Sequence, residues 1–209
     1  MKQLNQEEMN ALQDLKKFSI LAIAGFLLGT IGLILGIRFL LTALSRGVNS
    51  SQPLTSSLSS SYYILPISVP AIIIEIVSLV FLRSAYRHLN GSSDKFDYSY
   101  TGINLYFIAL VLIFAGMVLI IGLTLSNSVL LILDGVLIIL VGGIMGLVGE
   151  ILGLVLGAFR LRDHFNKNSI GTAGIMYVVG IFIPFFSLIG TIFIYMGANS
   201  ILTGRIISQ

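Results

Sequence analysis

The sequence predicts an all-α integral membrane protein with five transmembrane helices. Three observations carry that reading. Hydrophobic residues make up 56% of the chain and charged residues only 10%, against about 25% charged in ordinary soluble domains. The apolar residues fall into long continuous runs, and about 20 such residues cross a ~30 Å hydrocarbon core. Lys and Arg gather on alternate sides of those runs, as the positive-inside rule requires. Only helices and closed barrels satisfy their backbone in lipid. Barrel strands would show short alternating runs, so helices are expected. The net charge of +3 is read as membrane-flanking residues, with no nucleic-acid partner. The chain has no Cys, which excludes disulfides, thiol chemistry and Cys-based metal sites.

Met1 to Lys17 reads as a cytoplasmic, amphipathic N-terminal segment. Asn5 and Glu8 have the spacing of a capping box, and Leu4, Ala11, Leu12 and Leu15 can share one face. That face can lie on the bilayer or on a neighbouring chain, or the segment can simply extend the first span. Span one is placed at about Phe18 to Leu44. Its Gly25, Gly29, Gly32 and Gly36 form one stripe where another helix can approach closely. Arg38 lies near the far end and can snorkel to the interface.

The loop Ser45 to Ser61 is rich in Ser and Thr, and its Asn49-Ser-Ser fits a glycosylation sequon. Span two, about Tyr63 to Leu82, starts with Pro66 and Pro70, where proline is tolerated. Glu75 is central, and Ser68, Ala71 and Ser78 share its side, so that face should point at protein. In the polar loop that follows, Tyr86, Phe96, Tyr98 and Tyr100 suit an interfacial aromatic belt.

Span three, about Ile103 to Leu125, is uncharged. Ser126-Asn-Ser should make a tight helical hairpin into span four, about Val129 to Phe159. Asp134 lies near the start of that span and is a secondary acidic candidate that can reach headgroups. Gly142, Gly146, Gly149 and Gly153 repeat the glycine spacing of span one, so spans one and four are expected to pack as a close pair. The last run, about Ile170 to Leu202, holds Pro184 in its middle. It is read as one kinked helix, with a re-entrant pair as the other reading, because each half is short for a full crossing.

Orientation follows from the basic residues. Lys2, Lys16, Lys17, Arg83, Arg87, Lys95, Arg160, Arg162 and Lys167 flank one side, and Arg38, Arg46 and Arg205 the other. The N-terminus is thereby cytoplasmic and the C-terminus, after five spans, outside. Asn49 then becomes an external glycosylation candidate.

One pattern occurs twice. Glu75 is followed by Arg83, Arg87, His88 and Asn90, and Glu150 by Arg160, Arg162, His164 and Asn166. One inserted residue brings the two tails into register. At 1.5 Å per residue both acids lie about 12–15 Å inside their basic ends, near the midplane. A parallel two-helix repeat plus a fifth helix would explain this, and such repeats occur in transporters. The repeat would turn both glutamates toward one interior space. The alternative is convergence among apolar runs.

The chain resembles an archaeal family of small multi-span membrane proteins classed as domain of unknown function 973. The resemblance rests on several stretches. They are Leu12 to Phe18 before a Gly-rich span, Phe81-Leu-Arg-Ser-Ala-Tyr-Arg-His-Leu, Asp94 to Gly102, Gly149-Glu-Ile-Leu-Gly-Leu, and Ile183-Pro-Phe-Phe-Ser-Leu-Ile-Gly. It implies an archaeal plasma-membrane protein and brings no activity or site residue with it.

No phosphate loop, zinc-protease helix or nucleophile elbow is present. His88 and His164 are expected as surface residues at the cytoplasmic boundary. No enzyme activity, cofactor or metal is expected. A charged acid at midplane depth costs about 2.5–3.5 kcal/mol on insertion scales and is a functional candidate by default. Glu75 and Glu150 therefore form the expected buried acidic site, of a small transporter or ion-coupled permease. The alternative is a structural or accessory subunit, whose glycine-striped helices pack on a membrane partner or on a second copy.

Overall fold

The computed structural model describes residues 4–47, 65–124 and 129–206. Within them every regular element is helical. Helix α1 is Gln6–Gly47, α2 is Leu65–Ser92 and α3 is Asp97–Thr124. A short 3-10 turn, Asp94–Phe96, links α2 to α3. Helix α4, Val129–Glu150, runs through a π turn at Ile151–Val155 into α5, Leu156–Phe165. Helices α6, Asn168–Gly180, and α7, Phe185–Ile206, complete the chain. Among the described residues, four stretches are long and apolar enough to cross a membrane: Gln6–Gly32, Asp94–Gly116, Leu133–Phe165 and Phe185–Gly204. The chain is therefore a multi-pass membrane protein, and four such stretches stand where five spans were expected. The Asn49 sequon and the Ser126 to Ser128 turn lie outside the described residues.

The architecture is three helical hairpins, α1–α2, α3–α4 and α6–α7, joined at one end. The core lies at that joined end. Leu12 and Leu15 of α1, Leu82 and Tyr86 of α2, Ile103 of α3 and Leu161 of α5 are all essentially inaccessible. Further along α1 to α4, large apolar side chains such as Ile34, Ile73, Val111 and Leu140 are exposed, as lipid-facing surface should be. Tyr86 and Phe96, expected in an interfacial belt, are buried in the core instead. Tyr98 is exposed, with the Arg160 guanidinium over its ring.

The N-terminal segment is not a separate surface helix. It is the first part of α1, and Ala11, Leu12 and Leu15 are in the core. The capping box forms: Glu8 N–H donates to Asn5 Oδ1 at 2.7 Å, and Asn5 N–H donates to Glu8 Oε2 at 2.9 Å. The other oxygen, Glu8 Oε1, lies 2.7 Å from His164 Nε2. His164 is thus no surface residue: its side chain is 13% exposed and that of Glu8 3%. His88 of the first tail stands 3.9 Å from Asp14, also on α1. Glu8→Ala leaves the Asn5 cap on the Glu8 backbone N–H but removes the returning bond from Asn5 N–H and the histidine partner. An ordinary hydrogen bond is worth about 0.5–1.5 kcal/mol and one to a charged group about 1.5–3 kcal/mol. A loss of roughly 2–3 kcal/mol is expected, read as a lower unfolding midpoint in detergent.

The last run is two antiparallel helices, not one kinked span. Tyr177 on α6 meets Thr191 on α7 through their hydroxyls, 3.1 Å apart. Gly190 lies against Tyr177, and Gly197 against Ile170. The cause is local. Pro184 disfavours helical geometry at the residue before it and has no N–H to continue the ladder. It is well suited to begin α7 instead. The small faces of Ala173, Gly190 and Gly197 then let the two helices lie close. With 13 residues, α6 is only about 20 Å long, short of a crossing.

This reversal also corrects the expected C-terminal placement relative to the first helix. Lys16 Nζ donates to Asn199 Oδ1 at 2.9 Å and lies over the Tyr195 ring. The end of α7 is therefore beside the start of α1. Arg205 joins the basic end, leaving Arg38 and Arg46 at the other. Single cysteines placed at Ser93 and Ser200 should react with an impermeant thiol reagent from the same side of the membrane. Labelling from opposite sides would rule out the hairpin.

The glycine stripes face partners other than those expected. A Cβ on Gly25 would touch Glu75 and Ile74 of α2, and one on Gly142 would touch Ile113 and Ala109 of α3. Gly25 and the second stripe each pack within their own hairpin, and among the described residues spans one and four are not a close pair.

Candidate functional site

Glu75 and Glu150 line one cavity of about 310 Å³. Each acid comes from the returning helix of its hairpin, α2 and α4. Glu75 sits beside Gly25: its Oε2 is 2.8 Å from where a Cβ on that glycine would stand. The same side of α2 carries Ala71 and Ser78, both buried, and Ser78 Oγ donates to the Glu75 carbonyl at 2.7 Å.

Glu150 is the last residue of α4, immediately before the π turn. A π turn adds one residue to a helix and often marks a functional site. It lies within the Glu150 tail, which from acid to histidine is one residue longer than the Glu75 tail. The insertion keeps Glu150 on the cavity while His164, farther on, still reaches α1. Tyr86 fixes the turn by donating from its hydroxyl to the Gly153 carbonyl at 2.8 Å.

The third hairpin supplies much of the remaining wall. Gly180, Ile181 and Pro184 come from its tip, and Tyr177, Ser187 and Thr191 from its two arms. Thr191 Oγ1 also donates to the Ser187 carbonyl at 2.9 Å. Sequence reasoning did not foresee these residues, because they reach the glutamates only through the chain reversal. The polar residues Ser187 and Thr191 within an apolar run were the available signal. Phe18 and Phe26 of α1 and Tyr106 of α3 complete the aromatic lining. Among the described residues, no Lys, Arg or His lines the cavity. Neither glutamate carboxylate has a hydrogen-bond or ion-pair partner among the described residues.

Asp134 is elsewhere, exposed near the start of α4. The described residues contain no group of three or more His, Asp or Glu arranged to hold a metal ion. The joined end, by contrast, has partnered charges: Arg83 donates to Asn104 Oδ1 at 2.6 Å and to the Tyr100 hydroxyl at 3.1 Å, and Arg162 pairs with Asp163 at 2.8 Å.

Fold and cavity together define a small multi-pass helical membrane protein with two acids facing one internal space. A family model described as "Protein of unknown function (DUF973)" matches residues 8–208, and the chain belongs to that family. Comparisons with curated proteins and with solved structures give no match.

Proposed function

We propose that this protein is a non-enzymatic, proton-coupled cation carrier of the archaeal plasma membrane, with Glu75 and Glu150 as its exchange site. One observation carries the reading: two carboxylates without partners among the described residues share a cavity inside otherwise apolar helices. Membrane burial makes an uncompensated charge costly. Each acid must therefore hold a proton or a cation. Two acids in one space make those occupants compete, which is the elementary requirement for exchange. The basic end faces the cytoplasm by the positive-inside rule, with both described chain ends on that side.

The test uses protein reconstituted in vesicles with a trapped pH-sensitive dye. Sodium, potassium or choline chloride is added against an imposed pH gradient. Proton movement that requires both protein and added cation is expected. Absence of any such movement, with folded protein present in the vesicles, would overturn the reading.

A second reading, an accessory subunit, is favoured by Gly29 and Gly143. Among the described residues, nothing stands within 4 Å of where a Cβ on either glycine would lie. That leaves room for a helix of a partner or a second copy. Native purification that yields a stoichiometric partner, without proton movement, would favour it.

A further inference from the structure

Resting on the carrier reading, we propose that the cavity between Glu75 and Glu150 takes a small organic ammonium cation rather than a bare metal ion. Size is the first argument. A water molecule's share of liquid volume is about 30 Å³. A cavity of about 310 Å³ is large for a dehydrated metal ion and fits a cation carrying several carbon atoms.

The donor set is the second argument. Hard metal ions take six or more oxygen ligands. The Tyr177 and Thr191 hydroxyls are occupied by each other, and Thr191 also donates to the Ser187 carbonyl. The glutamates and the Ser187 and Tyr106 hydroxyls are then the side-chain oxygens left to a ligand. They are spread around a space too wide to close on one dehydrated metal ion, whereas an ammonium group needs only charge compensation.

The third argument is the wall. Phe18, Phe26, Tyr106 and Tyr177 line the same space as the acids. Aromatic faces attract ammonium groups, most strongly where water is excluded, and quaternary ammonium ligands are commonly held this way. Leu79, Leu154 and Leu188 offer apolar contact to alkyl substituents. One carboxylate balances the charge of a monocation while the other retains its proton. Entry of the cation then releases one proton, so charge is conserved in the site.

The experiment is calorimetric titration of the full chain in nanodiscs with choline, tetraethylammonium, sodium or potassium chloride. The neutral choline isostere 3,3-dimethylbutan-1-ol is the control. Binding of at least one ammonium ion is expected, with heats that vary with buffer because a proton is released. The neutral isostere should not bind comparably. Phe26→Leu should weaken ammonium binding about 2- to 30-fold, and Phe26→Tyr should restore most of it. Thermal unfolding checks that each variant is folded.

Sodium or potassium binding that is indifferent to Phe26→Leu, with no ammonium binding, would overturn this inference and leave the carrier site standing. Equal binding of the neutral isostere would overturn it too, by showing a merely apolar pocket. Silence toward every cation, in folded protein, would overturn both readings.

Discussion

Changing Glu75 and Glu150 together to Gln should abolish cation-coupled proton movement and leave the fold intact. Gln retains hydrogen bonding but cannot ionise. Removing an ionisable acid from an apolar helix also lightens its insertion cost, since a central Asp costs about 2.5–3.5 kcal/mol. The unfolding midpoint should therefore hold or rise slightly. Removing a buried charge from its partner costs about 2–5 kcal/mol of binding. A loss of at least roughly 30-fold in cation affinity follows. Each single variant keeps one carboxylate. It should bind a cation weakly and lose most of the coupling, because cation and proton no longer have separate seats. Undiminished proton movement in the double variant would show that the carboxyls serve packing. The measurement is dye-reported proton movement in vesicles beside thermal unfolding of the same preparations.

Both glutamates were legible because membrane helices have a ruler. Their distances from Arg83 and Arg160 fixed similar depths, and the small face around Ser78 turned Glu75 inward. Even the π turn left a trace, as the one residue that separates the two tails. Other features depend on choices that periodicity does not make. Gly25 and Gly149 announce close helix approaches, but a small face does not say which helix covers it. Sequence neighbours won: Gly25 packs on α2, and Gly142, Gly149 and Gly153 pack on α3, each within its own hairpin. The face of Leu12 and Leu15 was equally ambiguous between lipid and protein. The surfaces of α2 and α7, packed against α1, decided it. Pro184 marked the break in the last run, but a kink and a reversal begin from the same local geometry. The reversal is held by contacts many residues apart, such as Lys16 with Asn199.

Gly102→Ala should be among the most destabilising single changes in the protein. Gly102 lies on α3 against the π turn. A Cβ there would stand 2.5 Å from Gly153 N, 2.6 Å from Leu152 Cβ and 2.8 Å from the Leu152 carbonyl carbon. Opposite it, a Cβ on Gly149 would stand 2.7 Å from Tyr106 N and 2.8 Å from Gly102 O. Much of this surface is backbone, which has no rotamer to change. An added methyl must push α3 away from the end of α4. Overpacking costs about 1–3 kcal/mol and sometimes more; the backbone contacts place this case at about 3 kcal/mol or above. The cavity should fail with the fold. Tyr106 is one turn beyond Gly102, Glu150 follows Gly149, and both line the cavity. Separating the helices therefore moves both walls, and cation binding should fall even where folded protein can still be purified. Gly143→Ala is the control, because among the described residues nothing stands within 4 Å of its Cβ position. Alanine is about 0.8–1.0 kcal/mol better than glycine within a helix, so this change should be neutral or mildly stabilising. Thermal unfolding in one detergent compares the two. If Gly102→Ala unfolds with the parent while Gly143→Ala collapses, α3 and α4 must meet in another register, and the wall that brings Tyr106 to Glu150 falls with it.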